Sequence, residues 1–142
     1  MTYQVSPISE RDHFVLSIIN TMIGHGFTSY LMQELRQKRG IGYAPSSGLD
    51  SLRGNGLFSI SVPGMKPSQV DESLSIMQNI LKKIRDELVS EEFFEGKRTQ
   101  YLSSYLGNID SIGRRASFRI DNYFEKYAYD LLEVPDILRG VT

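Results

Sequence analysis

The stretch LRQKRGIGY, Leu35 to Tyr43, is where the chain changes its period. Before it, Leu31, Met32 and Leu35 recur at helical spacing. After it the step becomes two, with Ile41 and Tyr43 on one side of an expected strand and Gly42 and Ala44 on the other. Gly40 stands just past a basic last turn of Arg36, Lys38 and Arg39. That is a helix stop, because glycine takes the left-handed conformation at little cost and cations suit the negative end of a helix. Arg36 then sits in the last turn of a helix and Tyr43 on the following extended segment. Across such a reversal their side chains aim at a common spot. Spacing alone leaves two readings open. Arg36 neutralises the helix end while Tyr43 packs on the sheet, or the two are halves of one binding site.

The same periodicities organise the rest of the chain. Upstream, Pro7, Ser9 and Asp12 resemble a capping-box start, and Phe14, Val15, Ile18, Ile19, Met22 and Ile23 follow at helical spacing. Gly24-His25-Gly26 stops this helix, and Thr28 or Ser29 caps the next. Downstream, a glycine-rich loop around SLRGNG leads into LFSISV, which places Phe58, Ile60 and Val62 opposite Ser59 and Ser61. The two strands read as an antiparallel pair with a long connection. Tyr3 to Val5 supplies a third strand. Val70, Leu74, Met77, Leu81, Ile84 and Leu88 form an apolar stripe of a long helix. Ser90-Glu91-Glu92 opens another helix with Phe94, Tyr101 and Tyr105 on one face, broken at LGNIDS. Ile112, Ala116, Ile120, Tyr123 and Tyr127 mark one more, and Asp136 to Leu138 a short helical turn. The order predicts an α+β fold, an antiparallel sheet covered on one face by helices.

Totals exclude several classes. The 142 residues suit one domain with its own core, and 40% hydrophobic with 23% charged residues is ordinary for a globular protein. A net charge of −1 argues against a general nucleic-acid binder. The absence of cysteine removes disulfides, zinc–cysteine sites and thiol catalysis. No apolar run reaches membrane-spanning length, and MTYQVSPISERDHF lacks the pattern of a signal peptide. His13 and His25 stand in no H-x-x-E-H or H-E-x-x-H motif, and both read as ordinary residues, His25 on a mobile-looking glycine loop. RGIGYAP, Arg39 to Pro45, is a near-match to an RNA-recognition signature, but Ile41, Pro45 and Ser46 break it.

The wider context favours the binding-site reading. IINTMIGHGFTSYLMQELRQKRGIGYAPSS, Ile18 to Ser47, resembles the second-half domain of the pitrilysin-type, or inverzincin, zinc metallopeptidases, a family that includes mitochondrial processing peptidase, insulin-degrading enzyme and many bacterial zinc proteases. The matching positions are Ser29, Leu31, Leu35, Arg36, Lys38, Gly40, Ile41, Gly42 and Tyr43, and the acidic-start helix SEEFFEGKRTQYL with Lys97 is similar to the family's pattern. Two positions depart from it: His25 stands where glycine is common and Tyr30 where arginine is common.

The resemblance implies a division of labour between two homologous halves. The zinc and its H-x-x-E-H motif sit in the other half, on the same polypeptide or a partner subunit, and this chain holds no metal of its own. Arg36 would hold a backbone carbonyl of an extended peptide, and Tyr43 would donate its hydroxyl to the oxyanion as water attacks. A peptide could also add to a sheet edge. The chain is then expected to be a piece cut at both ends from a longer polypeptide, inactive alone, with bacterial periplasm and cytoplasm both compatible. The competing expectation is a catalytically inactive assembly domain of the same fold, like the respiratory-complex core subunits that resemble these peptidases.

Overall fold

The computed structural model describes residues 1–5, 10–52, 55–125 and 129–142. The Pro7–Ser9 start signal, Arg53, Gly54 and Tyr127 lie outside the described residues. The order of elements is β1 (Thr2–Val5), α1 (Glu10–Gly24), a helix α2 over 30–39, β2 (Ser46–Leu52), β3 (Asn55–Ser61), α3 (Val70–Asp86), α4 (Glu91–Ile109), α5 (Ile112–Glu125) and α6 (Val134–Arg139). The expected α+β class holds. The strands form one antiparallel sheet in the order β1-β3-β2, so Tyr3 to Val5 does supply the third strand.

Step-two alternation sorts the faces of β3. Ile60 is buried and Phe58 half-buried against the helices, while Ser61 is exposed. Helix α1 is the spine between two cores. Its Ile23 joins Leu31, Leu35, Ile41, Ile60, Met77 and Ile80 under the sheet. Its Phe14, Ile18 and Met22 join Tyr129, Val134 and Leu138, with Phe94, Tyr101 and Tyr105 of α4 packed against them. The aromatic face expected on α4 therefore faces inward. Ser90 caps α4 by accepting from the Phe93 N–H, with Glu91 and Glu92 in its positive first turn.

Three expectations are corrected. Residues 40–45 are not a strand; β2 begins at Ser46. Gly40 and Gly42 take φ of +64° and +68°, which breaks an extended run, and Pro45 has no N–H for a ladder. Ile41 is consequently buried while Tyr43 is exposed, so the two do not share a side. Second, the SLRGNG segment is not a long loop. Ser51 pairs with Gly56 and Leu52 with Asn55, so both ends of that segment belong to the paired strands. Third, the stripe on α3 is rotated. Ser73, Met77 and Ile80 are buried, Val70 and Leu74 are 37% and 38% exposed, and Leu88 lies past the helix and fully exposed. Serine can occupy the buried face because Ser73 Oγ donates to Gln69 O at 2.6 Å. Helix α5 forms where expected; its Ile112, Ile120 and Tyr123 face solvent, and Phe118 is the ring that turns inward, onto Tyr105 and Tyr129.

On the helix-facing side of the sheet, Tyr3, Phe58 and Leu49 lie in one cross-strand row. That row, Leu16 and Ile19 of α1, and Leu81 and Ile84 of α3 enclose an open apolar hollow of about 630 Å³.

Candidate functional site

Helix α2 shows how Arg36 is placed. Its middle, Met32–Gln37, is wound as a π-helix, whose hydrogen bonds span one residue more than those of an α-helix. The helix ends as predicted at Gly40. The Gly40 N–H returns to Arg36 O at 3.0 Å and the Ile41 N–H to Leu35 O at 2.8 Å. Leu35 and Ile41 bury on one side of this reversal, and Arg36 is left exposed on the other.

Tyr43 is carried by the irregular segment after Gly40, and that segment is clamped. The Tyr43 N–H donates to Pro63 O at 2.8 Å, tying it to the turn that follows β3. Gly42 has no alternative there: a Cβ would stand 2.5 Å from Val62 Cγ1 and 3.2 Å from Pro63 O, at a φ that side chains rarely adopt. Arg36 Nη1 donates to Gly42 O at 3.0 Å. The guanidinium carbon then lies 5.6 Å from the centre of the Tyr43 ring, within cation–π range. The two groups predicted to converge do so, through left-handed glycines rather than a strand. Tyr43 is 75% exposed, so its hydroxyl faces solvent.

No local pattern announces the clamp from Gly42 and Pro63. The readable signal was a pair of glycines two apart, Gly40 and Gly42, matched by a Pro63-Gly64 turn downstream. Beside the pair lies an ionic cluster in which Glu34 accepts from Lys38 at 2.6 Å and from Arg39 at 3.0 Å. The Lys38 hydrogen bond, ahead of Arg39, holds the Glu34 carboxyl below its ordinary range.

His25 is not on a loose loop. Lys97 of α4 is 2% exposed, and its Nζ donates to His25 O at 2.9 Å and to Gln100 Oε1 at 3.1 Å. No carboxylate among the described residues pairs with Lys97, and burial pushes its ammonium below the ordinary lysine value. The His25 ring Nε2 lies 3.1 Å from Ser47 O and 3.2 Å from Asn20 Nδ2; the tautomer sets which of the two it bonds. Lys97→Ala is expected to cost about 1–3 kcal/mol, since two carbonyl oxygens lose a charged donor and the buried stem loses its packing. Chemical denaturation of wild type and variant checks this.

Both histidines open onto one polar cavity of about 290 Å³ between α1 and α4, with Ser17, Asn20, Thr21, Gln100 and Tyr101. Among the described residues no three His, Cys, Asp or Glu side chains group to hold a metal, so these residues do not fit a zinc centre. Burial lowers the His13 pKa from its ordinary 6.5. The unfolded chain therefore takes this proton first as pH falls, and below about 6.5 His13 withdraws stability. His13→Gln is expected to flatten the loss of Tm between pH 7.5 and 5.5; equal slopes in both proteins would contradict this.

A helix-covered antiparallel sheet and an exposed Arg36/Tyr43 pair define the fold and the candidate site. The family described as "Peptidase M16 inactive domain" matches residues 1–101 of the 142, and the chain belongs to it. It is 32% identical over 78 residues to an uncharacterized zinc protease of Streptomyces coelicolor, which covers 55% of this chain and 17% of that protein. Its fold is similar to that of a conserved protein from Enterococcus faecalis, with a TM-score of 0.78 at 21% identity over 99% of this chain and 33% of the other. It is also similar to the peptidase M16 inactive domain from Pseudomonas fluorescens, with a TM-score of 0.71 at 18% identity over 99% and 34%. The chain thus spans about a sixth of the length of the Streptomyces relative.

Proposed function

We propose that this chain is the non-zinc half of a zinc-dependent metalloendopeptidase, acting on an extended peptide together with a homologous zinc-bearing domain or subunit. The observation that carries this reading is the convergence of Arg36 and Tyr43 on an exposed surface. One arm of the Arg36 guanidinium is taken by Gly42 O. Its other nitrogens have no hydrogen-bond partner among the described residues and are offered to a peptide carbonyl as a planar fork. The Tyr43 hydroxyl donates to the oxygen on which negative charge develops. A donor fixed in advance at such an oxygen stabilises the transition state more than the ground state, because it need not reorganise when the charge appears.

Zinc, held by the partner half, would supply activation of the attacking water. This chain supplies grip and charge stabilisation, so alone it hydrolyses nothing. The test is made in the complete two-half assembly. Arg36→Ala and Tyr43→Phe are expected to lower peptide turnover sharply while zinc content stays at its wild-type value. Full turnover in both variants defeats the assignment.

A further inference from the structure

The open apolar hollow of about 630 Å³ beside the sheet is not isolated. A second hollow of about 400 Å³ adjoins it, beside Phe94 of α4. Ile19 of α1 and Ile84 of α3 line both, so the two are one trough passing over α1. Its floor is the kind of surface a fold hides. Tyr3, in the cross-strand row on the helix-facing side of the sheet, is 40% exposed, and Leu88 at the far hollow stands fully in solvent. A sheet whose apolar face lies open needs another layer packed on it, and in this architecture that layer is a helix. A contiguous apolar surface of this kind marks an interface rather than a finished exterior.

The rim of the trough is polarised. Lys82 stands at the hollow beside the sheet and Glu87 at the hollow beside α4, and neither makes an ion pair among the described residues. Their charged neighbours are already engaged. Arg85 pairs with Asp86 at 2.6 Å, and Glu91 lies in the positive first turn of α4. One free cation and one free anion therefore mark the two parts of an apolar bed. A helix carries the matching charges in its backbone, partly positive at its amino end and partly negative at its carboxyl end. Laid in the trough with its amino end toward Glu87 and its carboxyl end toward Lys82, it complements both.

We propose that this trough seats an amphipathic helix from another stretch of the same polypeptide, its apolar stripe on Ile19 and Ile84 and its amino end toward Glu87. The chain spans 33% of the length of the Enterococcus protein it resembles, and a protein of that length has room for such a helix outside these residues. A segment on the same polypeptide meets the trough at high effective concentration as the chain folds, so it covers the apolar bed ahead of any separate molecule. The roles of Arg36 and Tyr43 do not enter this inference.

This chain has no cysteine, so single cysteines in the trough report what covers it. The experiment uses the complete protein, with any cysteine elsewhere replaced by serine. Leu88→Cys is read first, because that side chain is fully exposed in this chain and any protection must come from outside it. Its reaction with a maleimide is expected to be slower by about tenfold or more than in the same protein unfolded in urea. Lys82→Cys and Glu87→Cys, both at exposed rim positions that tolerate a label, are then coupled to a benzophenone, illuminated and mapped by mass spectrometry. Both probes are expected to join one helix of the same polypeptide outside residues 1–142, the Glu87 probe nearer its amino end. Full reactivity of Leu88→Cys overturns the inference, as does the absence of a peptide crosslink from either probe. A crosslinked product of doubled mass shows a second copy in the trough, and a crosslink to a different chain shows a separate partner; each overturns it. The reverse order of the two probes along the helix overturns the orientation read from Lys82 and Glu87.

Discussion

Tyr43→Phe in the complete assembly should lower kcat by about a hundred- to a thousandfold and leave KM nearly unchanged. The magnitude is that of a single preorganised donor to an oxyanion, about 3–4 kcal/mol. The variant is clean for a geometric reason. The ring that Arg36 covers at 5.6 Å is retained, and the backbone N–H that clamps Tyr43 to Pro63 is untouched. Only the hydroxyl is removed, and it faces solvent. An interaction made only in the transition state shows in kcat and not in KM. Arg36→Ala is less clean, because it also releases Gly42 O from its donor. It should raise KM and loosen the segment that carries Tyr43. Arg36→Lys keeps the charge but loses the fork, so it should rescue little. Stopped-time assays on one peptide, with zinc measured on the same samples, decide the matter. A Tyr43→Phe enzyme with wild-type kcat would end the oxyanion assignment.

Gly24→Ala is the largest expected effect on stability. Gly24 is the last residue of α1 and is buried where that helix crosses β2. A Cβ there would stand 2.1 Å from Ser47 N and 2.3 Å from Ser47 Oγ. The obstacle is strand backbone, so no side-chain rotation relieves it. Moving the strand away would also break the bond from Ser47 Oγ to Asn20 Oδ1 at 2.6 Å. A loss of about 3 kcal/mol or more is expected, roughly 10 °C in Tm. Gly107→Ala is the control. It lies within α4 with open space at its Cβ position, and should stabilise by about 0.5–1 kcal/mol. Equal Tm values for Gly24→Ala and wild type would show that α1 and β2 are not locked as described.

What could be read in advance was what short-range chemistry fixes. Apolar spacing located α1 and α3, an N-cap serine located α4, and a glycine after basic residues located the end of α2. The same local signals brought Arg36 and Tyr43 to one place. What escaped was decided by packing. Strand β2 is SSGLDSL, with few residues of high strand propensity; it is a strand because β3 and α1 hold it. The stripe on α5 is equally regular whether a helix faces a core or water, so Ile112 and Tyr123 gave no warning of their exposure. Lys97 is buried because it reaches a carbonyl distant in the chain, a contact that no periodicity encodes.

The wide turn at Met32–Gln37 carries a hereditary consequence. A turn of this kind amounts to one surplus residue in an otherwise ordinary helix. Deleting a single residue between Met32 and Leu35 would remove that surplus and let the helix close as an ordinary one, with the residues on either side kept on the faces they now occupy. A frame-preserving loss of one codon at this place, right beside Arg36, is therefore absorbed locally and leaves the guanidinium by the phenol.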